Sequence, residues 1–219
     1  MKRTLIVAGL LLVVLGGLSA QESALNTVRF TNNTGFEIVS LFFSPGDSEF
    51  WGPDLLGSEE TLRDGEFREF FVHYPETCGS FDFMAVDTDG DAYLIWDYQV
   101  CDGRGANVRV TLDDLQGPAP EMSYVELRLV NELPLELFYL FISPGDSEMW
   151  GVDYLSRAGV MEKGRLTSFL LPAKGEAVGY DIIAVDEHSD LYTFSIEVDA
   201  SRWVYEYPIE ITDLQEAKP

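Results

Sequence analysis

The chain has 219 residues, with 38 acidic against 14 basic side chains and a formal charge of −24. Charge of that sign and size repels phosphate backbones and anionic lipid surfaces, so nucleic acid is excluded as a partner. Apolar residues make up 46% of the chain and aromatic residues 13%, spread along its whole length, which excludes a disordered polymer.

The first residues are Met-Lys-Arg, followed by an apolar run from Thr4 to about Leu15 and then Gly-Gly-Leu-Ser-Ala before Gln21. A basic start, a short apolar stretch and a small residue at Ala20 read as a cleavable secretory signal over residues 1–20. The apolar run is short for a membrane span of about 20 residues. Cleavage takes away Lys2 and Arg3 and moves the charge from −24 to −26. The mature protein is expected in the periplasm or outside the cell, with no stable membrane insertion.

From Val28 onward the sequence matches itself at a shift of 99 residues, without a gap, as far as Leu115/Leu214. About two dozen of roughly ninety aligned positions are identical, which is the mark of an internal tandem repeat. The longest identical block is Ser-Pro-Gly-Asp-Ser-Glu, at 44–49 and again at 143–148. Copy one is placed at 21–115 and copy two at 124–215. Residues 116–123 (Gln-Gly-Pro-Ala-Pro-Glu-Met-Ser) between them read as a short semi-rigid linker.

Within copy one, runs rich in β-branched and aromatic residues predict six strands, at about 27–31, 36–43, 66–73, 80–87, 91–98 and 106–112. No long helical period appears. The expected fold is all-β: two tandem antiparallel β-sandwich domains of about six strands each.

In the repeated block, Pro45-Gly46 suits the centre of a type II turn. Asp47 or Ser48 can cap the turn that follows, Gly52 allows a close backbone approach, and Asp54 can cap again before Leu55 and Leu56 return to the core. The same residues can also line a surface site. Asp47, Ser48, Trp51 and Asp54, with Asp146, Ser147, Trp150 and Asp153 as their copies, are the candidate ligand-binding residues. Tryptophan beside carboxylates suits sugar stacking or a cation.

Asp89-Gly90 predicts a two-residue hairpin turn. An unbroken ladder from that turn sets Cys78 opposite Cys101, and the pair is expected to form a disulfide, consistent with export. The shifted positions in copy two, Ala177 and Ala200, both lack the thiol. Asp87, Asp89 and Asp91 resemble part of a calcium loop, without its full ligand spacing, so calcium is the one cofactor entertained.

No G-x-S-x-G, H-E-x-x-H, phosphate-loop or dinucleotide pattern occurs. His73 and His188 do not correspond between the copies. Asn32-Asn33-Thr34 is a glycosylation acceptor only on a eukaryotic secretory route. No catalytic residue is assigned. The expected function is a non-enzymatic binding or interaction role in the cell envelope, with a protein or glycan partner. The alternatives are a carboxylate-dependent, glycosidase-like hydrolase and a purely structural envelope component.

Both copies resemble a small exported bacterial domain for which no activity is established. The resemblance rests on "NNTGFEI", "SPGDSEFWGPDLLG", Gly65 and "FDFMAVDTDGD", and so on a Ser-Pro block followed by Trp-Gly-x-Asp-x-Leu. Copy two departs from it at "NELPLEL" and "DEHSD". What the resemblance implies is a modular exported domain.

Overall fold

The computed structural model describes residues 26–73, 78–101, 105–156, 159–173 and 177–215. The expected signal segment, 1–20, lies outside the described residues. The first half contains β1 (Asn26–Asn33), β2 (Ile38–Pro45), β3 (Phe67–Val72), β4 (Cys78–Asp87), β5 (Asp91–Cys101) and β6 (Ala106–Thr111). After β7 (Leu115–Pro118), the second half contains β8 (Ser123–Asn131), β9 (Leu137–Pro144), β10 (Leu166–Ala173), β11 (Val178–Asp186), β12 (Leu191–Val198) and β13 (Val204–Ile209).

The all-β expectation holds. Each half packs a three-stranded sheet on a second sheet, in the orders β3-β1-β6 against β2-β4-β5-β7, and β10-β8-β13 against β12-β11-β9. Pairing is antiparallel except between β1 and β6 and between β8 and β13, which run parallel because the last strand crosses over from the opposite sheet. β7 takes up Gln116–Pro118 of the expected linker and pairs with β5.

Alternation places the core. Val28, Phe30 and Asn32 of β1 point inward, while Thr27 and Arg29 face out. In the first half Phe43 stacks on Phe81 at 4.8 Å and meets Phe70 and Phe83 edge-on. In the second half Leu127, Leu140, Tyr180, Ile182 and Tyr192 fill the same space. Each such side chain contributes about 1.5–3 kcal/mol by leaving water.

Asn32 and Asn131 are polar but fully buried. Asn32 donates to the Phe36 and Leu62 carbonyls at 2.7 and 2.8 Å and accepts from Thr34 N at 3.0 Å. Asn131 repeats this with Leu135, Met161 and Leu133. The asparagine therefore ties two loop segments to its strand inside the sandwich. Buried in this way, Asn32 is no glycan acceptor, and that reading of Asn-Asn-Thr is corrected.

The disulfide between Cys78 and Cys101 is present, but the route to it differs from the sequence reading. Asp87 and Asp91 close a three-residue loop, in which Gly90 N donates to Asp87 O and Gly90 takes φ +84. The ladder then runs one residue out of the expected register, with Ala85 facing Tyr93 and Phe83 facing Ile95. A bulge at Trp96-Asp97 opposite Asp82 restores it, so Phe81 faces Tyr98 and Cys78 faces Cys101. The β11–β12 hairpin has no such bulge: Val178 to Val185 pair evenly with Val198 to Leu191. Ala200 is therefore not the structural counterpart of Cys101, and the paired-alanine observation was a coincidence of ungapped numbering.

The two halves share hydrogen-bonded edges. Segment 52–55 lies along β2, with Gly52 N donating to Phe43 O and Leu55 N to Leu41 O, while Asp54 N donates across to Leu170 O of β10. Segment 151–154 lies along β9 in the same way, with Tyr154 N donating to Leu140 O, while Asp153 N donates to Phe71 O of β3. Each half thus covers an edge strand of the other, leaving fewer unpaired backbone groups than two separate sandwiches would. The repeated block sits where the halves join.

Candidate functional site

Pro45 O accepts from Ser48 N at 3.1 Å, so Gly46 and Asp47 occupy the turn centre, one residue later than the sequence reading placed it. Gly46 is not in a left-handed conformation, which rules out the expected type II turn. The turn directs its polar side chains across the join. Ser48 Oγ donates to Asp146 Oδ1 at 2.7 Å, and Glu49 N donates to Asp146 Oδ2 at 2.8 Å. Reciprocally, Ser147 Oγ donates to Asp47 Oδ1 at 2.6 Å. These four candidate residues are brought together, and they bond to one another.

Asp54 and Asp153 lie elsewhere, inside the protein at 6% and 2% exposure. Asp54 Oδ1 accepts from Leu41 N and Leu56 N, and Asp153 Oδ1 from Leu140 N and Leu155 N. Burial raises both carboxyls, Asp153 to about 6, against the lowering effect of those amide bonds. Trp150 is half-buried.

Trp51 is half-buried on the outer face of the β2-β4-β5-β7 sheet, with its ring centroid 5.8 Å from that of Trp96. It belongs to a small outer cluster around Phe42, Met84, Val86 and Ala92, which Met122 of the connecting segment and Tyr124 of β8 also cover. Trp96 stays 55% exposed. It is on the face because the bulge sets Trp96 and Asp97 together opposite Asp82. Asp97 takes φ 54, a left-handed conformation uncommon outside glycine, and its N–H donates to Asp82 Oδ1 at 2.7 Å. Burial raises the Asp82 carboxyl, partly offset by that amide, and the Asp97 charge raises it further.

Sequence reasoning singled out Trp51 but not Trp96 or Asp97, which the structure places beside it. One signal was available: Trp96 stands against Ser195 at the 99-residue shift, in otherwise similar strands.

Asp87, Asp89 and Asp91 do not form a cage. Asp87 Oδ1 accepts from Asp89 N and Asp91 N, and Tyr93 donates its hydroxyl to Asp87 Oδ2 at 2.9 Å. Asp186 and Tyr192 repeat the arrangement. Among the described residues, no three His, Cys, Asp or Glu side chains are grouped so as to hold a metal ion. His188 is exposed on its hairpin tip, whereas the His73 ring lies at the join, 5.5 Å from that of Phe141.

An open cleft of about 990 Å³ runs beside β3, lined in part by Leu56, Glu60, Glu66, Arg68, Glu69 and Ser156. Its glutamates are engaged: Glu60 with Arg68 at 2.6 Å, Glu69 with Arg29 at 2.6 Å, and Glu66 accepting from Arg63 N. Such carboxylates are poorly placed for acid-base work.

No protein-family model and no curated protein matches the chain. Among solved structures, the chain is similar to a candidate adhesin from Bacteroides ovatus, at 8% identity and a TM-score of 0.25, with 87% of this chain and 91% of that one covered. Among the described residues, no helix is long and apolar enough to cross a membrane.

Proposed function

We propose that the chain is an exported, non-enzymatic tandem-repeat protein with a binding role in the cell envelope. The observation that carries this reading is the Trp96-Asp97 bulge. The second half builds the same sandwich with an even ladder and Ser195, so the fold does not require a bulge there. The first half nonetheless accepts left-handed backbone at Asp97 and holds a tryptophan in water beside Trp51. Unfavourable backbone and exposed aromatic surface collect where binding is selected. The Cys78–Cys101 bridge and the signal-like first 20 residues support an oxidising, extracytoplasmic compartment.

The test is to express the full chain, separate the cell fractions and sequence the mature N-terminus. A chain starting at Gln21 outside the cytoplasm is expected, and an intact Met1 chain inside it overturns export. Release of new reducing ends from envelope polysaccharide, lost in Glu60→Gln or Glu66→Gln, would establish the hydrolase instead.

A further inference from the structure

The Trp51–Trp96 face suits a particular ligand chemistry. Trp96 offers an open ring face, and two carboxylates adjoin it. Asp97 is exposed and accepts a long bond from Ser80 Oγ, at 3.3 Å. Asp82 lies across the ladder, 6% exposed. Among the described residues neither is ion-paired.

The protein shows elsewhere what such a combination holds. Arg29 lies 4.2 Å over the Phe67 ring while bonding Glu69 at 2.6 Å. Arg202 lies 4.5 Å over Tyr205, and its charge helps hold the Asp199 carboxyl below the usual range, behind the hydrogen bonds from Ser201. In both places a guanidinium sits on an aromatic face next to an acid. At Trp96 the ring and the acids are present and, among the described residues, no arginine or lysine lies over the ring. Tryptophan is the strongest aromatic partner for a cation.

We propose that the Trp51–Trp96 face, with Asp97 and Asp82 at its edge, binds a lysine or arginine side chain on a basic segment of a partner protein. The proposal rests on the binding role argued above and names its ligand class. Charge complementarity selects this occupant. A surface of net charge −24, or −26 after the expected cleavage, draws in a basic segment over a screening length and repels an acidic one, while a neutral sugar gains nothing from that field.

The experiment titrates a fluorescent Arg-Gly repeat peptide into the full-length mature protein at low and high salt. A Glu-Gly peptide and a neutral oligosaccharide serve as comparison probes. Two variants suit the fold: Trp96→Ser copies the second half, and Asp97→Gly accepts the left-handed backbone. Each is expected to weaken the basic peptide about tenfold, with an unchanged or higher melting temperature. Wild-type affinity should fall as salt rises.

Equal affinity in Trp96→Ser and wild type would mean attraction by bulk charge alone and would overturn the site. Trp96-dependent binding of the oligosaccharide but not the peptide would overturn the ligand class while leaving the binding role standing. Binding of neither probe would overturn this inference, and the export test above stands apart from it.

Discussion

Ser48 and Asp146 are bonded at 2.7 Å across the join, and their repeat equivalents Ser147 and Asp47 return the same bond at 2.6 Å. With the backbone bonds from Asp54 to Leu170 and from Asp153 to Phe71, the halves hold each other's strand edges. The mature chain is expected to unfold in one cooperative transition, with calorimetric and van't Hoff enthalpies in agreement. In a cycle of Ser48→Ala and Asp146→Ala the coupling should be about 1 kcal/mol, since the pair is solvent-exposed. Two separated melting peaks in the wild type would contradict a shared body.

The two motif glycines should respond differently to the same change. A Cβ on Gly52 would lie 2.9 Å from Phe43 O and 3.1 Å from the Tyr154 hydroxyl, whereas one on Gly151 would find its nearest neighbour, a Phe43 ring carbon, at 3.6 Å. Gly52→Ala must push a backbone carbonyl and the opposite half apart, at about 1–3 kcal/mol. Gly151→Ala should be near neutral in chemical denaturation. Equal effects would show that the join yields more easily than its contacts imply.

Alternation and turn residues made the sandwich legible, because Val28, Phe30 and their neighbours repeat with period two and stop at Gly and Asp. The function of the repeated block was not legible. Asp47 and Ser147 are 100 residues apart, and nothing local says that one will accept from the other. Asp54 reads as a surface cap until the opposite half is placed over it. The hairpin shows a subtler limit. A longer loop and a later bulge shift the register in opposite directions, so a simple count reached the correct cysteine pair while missing the bulge that exposes Trp96. Bulges insert one residue and re-aim a side chain without a fixed sequence mark.

Cys78 and Cys101 lie at the open end of the β4–β5 hairpin, 23 residues apart in sequence. Loop-closure entropy gives a stabilisation of about 3 kcal/mol for a loop of this size. The double variant Cys78→Ala, Cys101→Ala should fold and lose up to about that amount in denaturant titration. Failure to fold at all would mean that the bridge organises the hairpin as well as closing it.

Asn32 donates two bonds from one nitrogen to carbonyls that the core has removed from water. Asn32→Ala leaves those carbonyls and Thr34 N short of a partner and should cost about 3 kcal/mol. Asn32→Asp keeps the shape but turns a carboxylate oxygen toward the carbonyls of Phe36 and Leu62. Its loss should therefore be larger at pH 7 than at pH 4, where the acid can be protonated and donate. A pH-independent loss in urea titrations would argue against that orientation.

Asp153 gives stability a pH dependence of defined sign. Its carboxyl titrates near 3.8 when unfolded, and burial raises it to about 6 in the folded protein. Between those values the folded chain holds a proton that the unfolded chain has released. The contribution is thus fully present below about pH 4 and is lost as pH rises through about 6. Asp54 is raised by the same cause and acts in the same direction. Lowering the pH from 7 to 5 should raise the melting temperature, with about 1 kcal/mol over that interval attributable to Asp153. Relief of the chain's general negative charge adds to the trend, so the decisive reading is the difference between proteins. Asp153→Asn keeps an oxygen for Leu140 N and Leu155 N and removes the titration. Its melting curve between pH 7 and pH 5 should be flatter than wild type, and parallel curves would mean that Asp153 ionises in the folded protein much as it does in water.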